Sequence, residues 1–177
     1  MKQVVAFGAS SSKKSINKNL ATWAASTVTD AEVTTLDLND FEMPIYSIDR
    51  QENGGIPQAA KDFKKYIVQA DGIIISFSEH NGTYTAAFKN ILDWVSRLEG
   101  MLWEERPMLL LSTSPGGNGA ATVLASAVAA FPYLKGKVVG SLAIPFYGKN
   151  FTVEDGITDQ KLAGELQALI KLFSEHL

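Results

Sequence analysis

The stretch Gly72-Ile73-Ile74-Ile75-Ser76-Phe77 limits the fold more than any other feature, because it leaves no place for a solvent-facing side. Val4–Phe7, closed by Gly8, reads the same way. A strand with one wet face alternates apolar and polar residues. Uninterrupted apolar runs instead predict strands covered on both faces, as in a parallel sheet. The intervening segments supply the covers. Ile16, Leu20, Trp23, Ala24 and Val28 recur at helical spacing, as do Ile56, Ala60, Phe63 and Ile67, with Pro57 in the first turn of their helix. Phe88, Ile91, Leu92 and Val95 give a third buried helical face, and Leu162, Leu166, Leu169, Ile170 and Phe173 give a closing amphipathic helix. Val33–Leu38 is a less apolar strand, nearer an edge, and Met108–Leu111 and Val138–Phe146 complete a set of five. The helix from about Ala120 to Ala130 has almost no polar face, which predicts burial on most sides.

Five strands separated by helices predict an α/β three-layer sandwich with right-handed crossovers. The flavodoxin-like strand order 2-1-3-4-5 is the leading expectation, with residues 1–177 forming one domain. In that order, ligands bind where the chain reverses direction across the sheet, at the carboxyl ends of strands one and three. Composition narrows the chemistry. With no cysteine there is no disulfide, thiolate nucleophile or thiolate metal site, and His80 and His176 alone make a poor metal set. A net charge of −3 argues against a nucleic-acid surface, and no apolar stretch is long enough for a membrane span, so a cytoplasmic protein is expected.

The first loop at the expected switch point reads Gly8-Ala9-Ser10-Ser11-Ser12-Lys13-Lys14-Ser15-Ile16-Asn17. Four serines, an asparagine and the free N–H groups of a helix start suit a phosphate dianion. The competing reading makes Ser15 a helix cap and the other serines solvated turn residues. Two nucleotide motifs fail on spelling. Ser10 and Lys13 stand where G-x-G-x-x-G needs glycines, and Lys13 replaces the second glycine of a P-loop. A phosphate-binding hydrolase built on that near match would need nucleotide turnover with magnesium.

The second loop reads Ser78-Glu79-His80-Asn81-Gly82-Thr83-Tyr84-Thr85 and leads into Phe88-Lys89-Asn90-Ile91-Leu92-Asp93-Trp94. The third reads Ser112-Thr113-Ser114-Pro115-Gly116-Gly117-Asn118-Gly119, and Met43-Pro44-Ile45-Tyr46 follows the second strand. Together with Ser10…Ser15-Ile16-Asn17, these segments resemble the NADPH-dependent FMN reductases, with their P-E-Y-N and L-K-N…D-W signatures, their serine-rich phosphate loop and their Gly-rich third loop. The resemblance covers about residues 3–150, in the family's order and spacing.

The resemblance implies that Ser10, Ser12, Ser15, Ile16 and Asn17 hold the FMN phosphate. It implies that Glu79, His80, Asn81 and Gly82 line the ring edge, largely through backbone groups, and that Ser114, Gly116 and Gly117 approach its other side. NADPH or NADH would reduce FMN, and a quinone, azo, nitro or flavin acceptor would then take the donor's place by a ping-pong mechanism. No side chain is expected to be catalytic, since FMN carries the chemistry. A homodimer or homotetramer is also implied, with the Tyr46 segment reaching towards a neighbour's site. The chain departs from the pattern at Ser12 (usually arginine), Ser78 and Thr85 (prolines) and His80 (tyrosine). The alternative from another class is a flavodoxin-type FMN electron carrier that oxidises no NAD(P)H, although such carriers tend to be more strongly acidic than −3.

Overall fold

In the computed structural model, which describes Met1–Leu177, each uninterrupted apolar run is an interior strand. In chain order the elements are β1 (Lys2–Ala9), α1 (Ile16–Ser26), β2 (Ala31–Leu36), a 3₁₀ turn (Leu38–Phe41), α2 (Ile48–Gly54) and α3 (Gln58–Gln69). There follow β3 (Gly72–Phe77), α4 (Ala86–Val95), β4 (Pro107–Thr113), α5 (Ala121–Ala130), β5 (Lys137–Ile144), α6 (Tyr147–Asn150), β6 (Phe151–Thr152), β7 (Gly156–Ile157) and α7 (Gln160–Glu175). The five long strands form one sheet in the order β2-β1-β3-β4-β5, and every pairing in it is parallel. The less apolar β2 is at an edge, as its composition requires.

The period-two alternation of side chains divides the core between the two faces. Val5 and Phe7, Ile73 and Ile75, and Leu110 point to the face covered by α3, α4 and α5. Val4 and Ala6, Ile74, and Leu109 and Leu111 point to the face covered by α1 and α7. Each fully buried isoleucine of β3 stabilises this arrangement by roughly 1.5–3 kcal/mol, so β3 anchors both layers. Gly8 sets how closely α1 lies on the sheet. A Cβ there would stand 2.3 Å from the Lys18 nitrogen and 2.7 Å from its Cα.

Several boundaries differ from expectation for identifiable reasons. β2 stops at Leu36 because the Asp37 side chain accepts from Asn39 N–H and opens the 3₁₀ turn. Pro57 occupies the cap position of α3 and not its first turn, which leaves Ile56 packed on the core from outside the helix. β5 ends at Ile144, just before Pro145. The segments α2, α6 and the β6–β7 hairpin were not expected; α2 buries no residue and so carries no apolar period. The expectation for α5 is corrected as well. Val123, Leu124 and Ala127 are buried, while Thr122, Ala125, Ser126 and Ala129 are exposed. Its outer side carries Thr122 and Ser126 with two alanines, so within one chain it is not buried all round. No helix is long and apolar enough to cross a membrane.

Candidate functional site: a donor-lined mouth at the carboxyl ends of β1, β3 and β4

The loop after β1 delivers the start of α1 to the sheet's carboxyl edge. Ser15 caps the helix, its Oγ accepting from Lys18 N–H at 3.1 Å. Ser10 Oγ accepts from Ser12 N–H at 3.1 Å. Both serines are buried, whereas Ser11, Ser12, Lys13 and Lys14 are exposed. A hydroxyl that accepts one bond still has its own proton to donate. The N–H groups of Ile16 and Asn17 are in the first turn of α1, where no carbonyl precedes them at helical distance. Capping and anion binding therefore coexist: the loop offers two hydroxyl protons from Ser10 and Ser15, a third from Ser12, and two backbone amides at the positive end of a helix.

The Asn17 side chain narrows what that residue can offer a ligand, because its amide is already fully engaged. Nδ2 donates to Ser78 Oγ at 3.0 Å and to the Thr113 carbonyl at 3.0 Å. Oδ1 accepts from Ser76 Oγ at 2.6 Å and from Thr113 N–H at 3.0 Å. With 1% of its surface exposed, Asn17 can offer a phosphate only its backbone N–H.

The loop after β3 is a tight hairpin. His80 N–H donates to the Thr83 carbonyl and Thr83 N–H to the His80 carbonyl, at 3.0 and 3.2 Å. Asn81 and Gly82 between them take φ of 54° and 78°, the paired left-handed geometry of a type I′ turn for which Asn-Gly is suited. Rigidity that the family pattern draws from prolines comes here from this turn and from Thr85. The Thr85 hydroxyl donates to the Ala9 carbonyl at 2.9 Å and accepts from Phe88 N–H, capping α4. His80, Asn81 and Gly82 are exposed at the loop tip. Glu79 turns the other way. Its Oε2 accepts from Val123 N–H at 2.9 Å, supplying the carboxylate at the start of α5 that the left-handed cap residue Ala120 lacks. Beneath the loop, the Tyr84 hydroxyl is buried without a partner, and desolvation pushes its pKa up, so the phenol stays protonated.

The third loop is pinned from below and open above. Ser112 Oγ donates to the Gly119 carbonyl and Thr113 Oγ1 to the Ile144 carbonyl, both at 2.7 Å. Gly116 is exposed, and a Cβ there would meet nothing closer than Ser114 Oγ at 4.0 Å; Gly117 is exposed with the Phe146 ring against it, where a Cβ would come within 2.8 Å of that ring. Phe146 holds a left-handed φ of 48° and donates its N–H to the Gly116 carbonyl; Tyr147 N–H reaches the Ser114 carbonyl. Phe146 and Ser76 were not legible as site components, and Thr113 was legible only as part of the third loop, since each acts through contacts far away in the chain. Towards β2, a cavity of about 260 Å³ lies between the Leu38–Ile45 segment and the start of α4, with Ser11 at its rim. The Tyr46 ring packs on Trp94 of its own chain, with ring centres 5.0 Å apart, and is half-buried. No three His, Asp or Glu side chains converge on a point where they could hold a metal ion.

Comparison with known proteins identifies the family and the fold. The family model described as NADPH-dependent FMN reductase matches residues 2–149. A 2-hydroxy-1,4-benzoquinone reductase from Burkholderia sp. is 35% identical over 111 residues, 62% of this chain and 58% of that protein. A quinone reductase of Escherichia coli K12 is 34% identical over 80 residues, 45% of this chain and 43% of that protein. The chain thus spans about half the length of these curated relatives. Among solved structures, FerB, a flavoenzyme NAD(P)H:(acceptor) oxidoreductase from Paracoccus denitrificans, shares the fold with a TM-score of 0.78, covering 99% of both chains at 24% identity.

Proposed function

This chain belongs to the NADPH-dependent FMN reductase family, and on that premise we propose that it is an FMN-dependent NAD(P)H oxidoreductase that reduces a quinone, azo, nitro or flavin acceptor. The observation that carries the reading is the set of uncommitted donors at the mouth: the Ile16 and Asn17 amides with the hydroxyls of Ser10, Ser12 and Ser15. The residues present fit FMN. These five donors would hold its terminal phosphate. The exposed turn His80-Asn81-Gly82 and the open third loop at Ser114, Gly116 and Gly117 would border its ring. FMN held there would supply the hydride chemistry between a nicotinamide and the acceptor.

The protein's own part is placement. A side chain is absent at exposed Gly116 and at Gly82, so neither loop would crowd a ring at those points. No acid–base residue is required, in keeping with a mouth that offers neutral donors. Donor and acceptor using one place in turn gives ping-pong kinetics, read as parallel initial-rate lines; intersecting lines would overturn that mechanism.

The protein is read as one cytoplasmic domain acting as a homodimer or homotetramer. Exposed Ile45 and Ile48, beside the Tyr46 segment, support self-association.

The deciding experiment is an absorbance spectrum of the purified protein with added FMN, followed by anaerobic NADPH and then NADH. A bound-flavin spectrum that bleaches with either nucleotide supports the reductase. Flavin that binds but stays oxidised with both replaces it with the electron carrier. Protein that binds no flavin overturns the functional reading.

A further inference from the structure

We infer that Asn17 is a positioning residue whose side chain stands in for a missing segment of β3 and so fixes the three loops of the mouth relative to one another. The inference rests on the FMN reading given above for what the mouth holds. It begins with the sheet register. β3 pairs with β4 up to Phe77 opposite Ser112, and there β3 leaves to form the Ser78–Thr85 loop. β4 runs one residue further, and Thr113 still pairs with Ile144 of β5 on its other side. A strand residue at this point would have both its N–H and its carbonyl unpaired on the side that β3 has vacated. The Asn17 amide occupies that side. Its Oδ1 accepts from Thr113 N–H and its Nδ2 donates to the Thr113 carbonyl, each at 3.0 Å, as a neighbouring peptide would.

The remaining capacity of the amide goes to β3 itself and to the loop that follows it. Ser76 Oγ donates to Oδ1 at 2.6 Å, and Nδ2 donates to Ser78 Oγ at 3.0 Å. One buried side chain on the phosphate loop thus touches the end of β3, the start of the second loop and the last residue before the third. All four positions of its hydrogen-bonding capacity are filled. Residues 17, 76, 78 and 113 are far apart in the chain, so no local turn can replace this connection. The sheet can split between β3 and β4, opening a mouth, without leaving buried peptide groups unpaired. The backbone N–H of the same residue is in the first turn of α1, where on the FMN reading it would meet the phosphate, so one residue would link the phosphate grip to the ring-side loops.

Asn17→Asp keeps the shape and both acceptors while removing both donors. A carboxylate beside the Thr113 carbonyl is disfavoured, so the buried acid is driven towards its neutral form, which restores one donor. Riboflavin, which lacks the phosphate, separates positioning from phosphate contact. The expected result is at least tenfold weaker binding of both FMN and riboflavin to Asn17→Asp at about pH 8, with riboflavin affinity recovering towards about pH 5 and the wild type staying flat. Loss of FMN binding alone, with riboflavin binding unchanged and independent of pH, would make the side chain a direct phosphate contact and overturn the inference.

A second variant covers the case in which Asn17→Asp does not fold. Asn17→Ser is too short to reach Thr113, so in flavin-free protein the Thr113 amide should exchange with solvent at least tenfold faster than in the wild type. Unchanged protection of that amide overturns the inference on its own. Wild-type protein that binds no flavin would instead overturn the functional reading, and the exchange result would still decide the role of Asn17.

Discussion

The two ends of the sheet solve the same problem with different chemistry. Nine polar or charged residues are buried in this protein, and eight of them (Ser10, Ser15, Asn17, Ser76, Thr85, Ser112, Thr113 and Asn150) gather at the carboxyl end. All eight are neutral, and their partners are mostly backbone groups of neighbouring loops. The ninth, Lys64, is at the amino end of the sheet. There it bonds to the carbonyls of Met101 and Leu102 and pairs with Glu104, in a loop where Glu104 and Glu105 hold left-handed backbone. The amino end is closed by a charge clamped onto a strained loop. The carboxyl end is held open by buried hydroxyls and amides, which fix geometry without burying a charge.

The sharpest way to break this contrast is at Gly8. In Gly8→Ala the new Cβ meets backbone atoms of Lys18 and Asn17 that cannot swing aside, which should cost about 3 kcal/mol and displace the start of α1. Urea unfolding measures the first effect and FMN titration the second. A variant as stable as the wild type, with unchanged flavin affinity, would show that helix approach does not set the mouth.

Lys64→Met tests the opposite end and should have an intermediate effect. It leaves two carbonyls and Glu104 without their donor, a loss of about 1–3 kcal/mol. FMN affinity should not change, because no part of the mouth touches that loop. Weakened flavin binding in Lys64→Met would mean that the two ends are coupled.

The smallest effect is expected at Asp37, beside the mouth. Its carboxylate accepts from Lys18 Nζ at 2.5 Å and from Asn39 N–H, which lower its pKa from 3.8 to about 2. A lowered carboxylate pKa adds stability above the unfolded value and loses it as pH falls through the folded one. Wild type and Asp37→Asn should therefore differ by a constant amount above 3.8, and the difference should shrink towards about pH 2. Both partners are about a third exposed, so the constant amount should be below about 1 kcal/mol. Thermal melts across that range would show it, and a difference that grows on acidification would reverse the assignment.

What could be read directly from the chain was whatever depends on neighbours in sequence. The runs at Val4–Phe7 and Gly72–Phe77 are interior strands, and the order found is the leading expectation for five strands alternating with helices. Ser15 as a cap was readable because its partner is three residues away. The site was readable as loops but not as bonds. Asn17 had the right type and place for a ligand, yet its amide is taken by residues 59 to 96 positions away. Glu79 likewise ends on Val123, 44 positions on, for a reason that only the left-handed turn at Ala120 reveals. Helix α2 went unseen because an element with no buried residue leaves no apolar period.

The lysine in the first turn of α1 has a consequence for ionic strength. Lys18 is committed to Asp37, so an anion at this mouth would be met by dipoles, from amides and hydroxyls, and not by a fixed cation in contact. Dissolved salt screens separated charges, but it weakens short hydrogen bonds in a partly buried loop much less. Only exposed Lys13 and Lys14 would add a salt-sensitive pull, acting on the rate of capture more than on its strength. A cleft built in this way would hold its phosphate group nearly as well in brine as in dilute buffer.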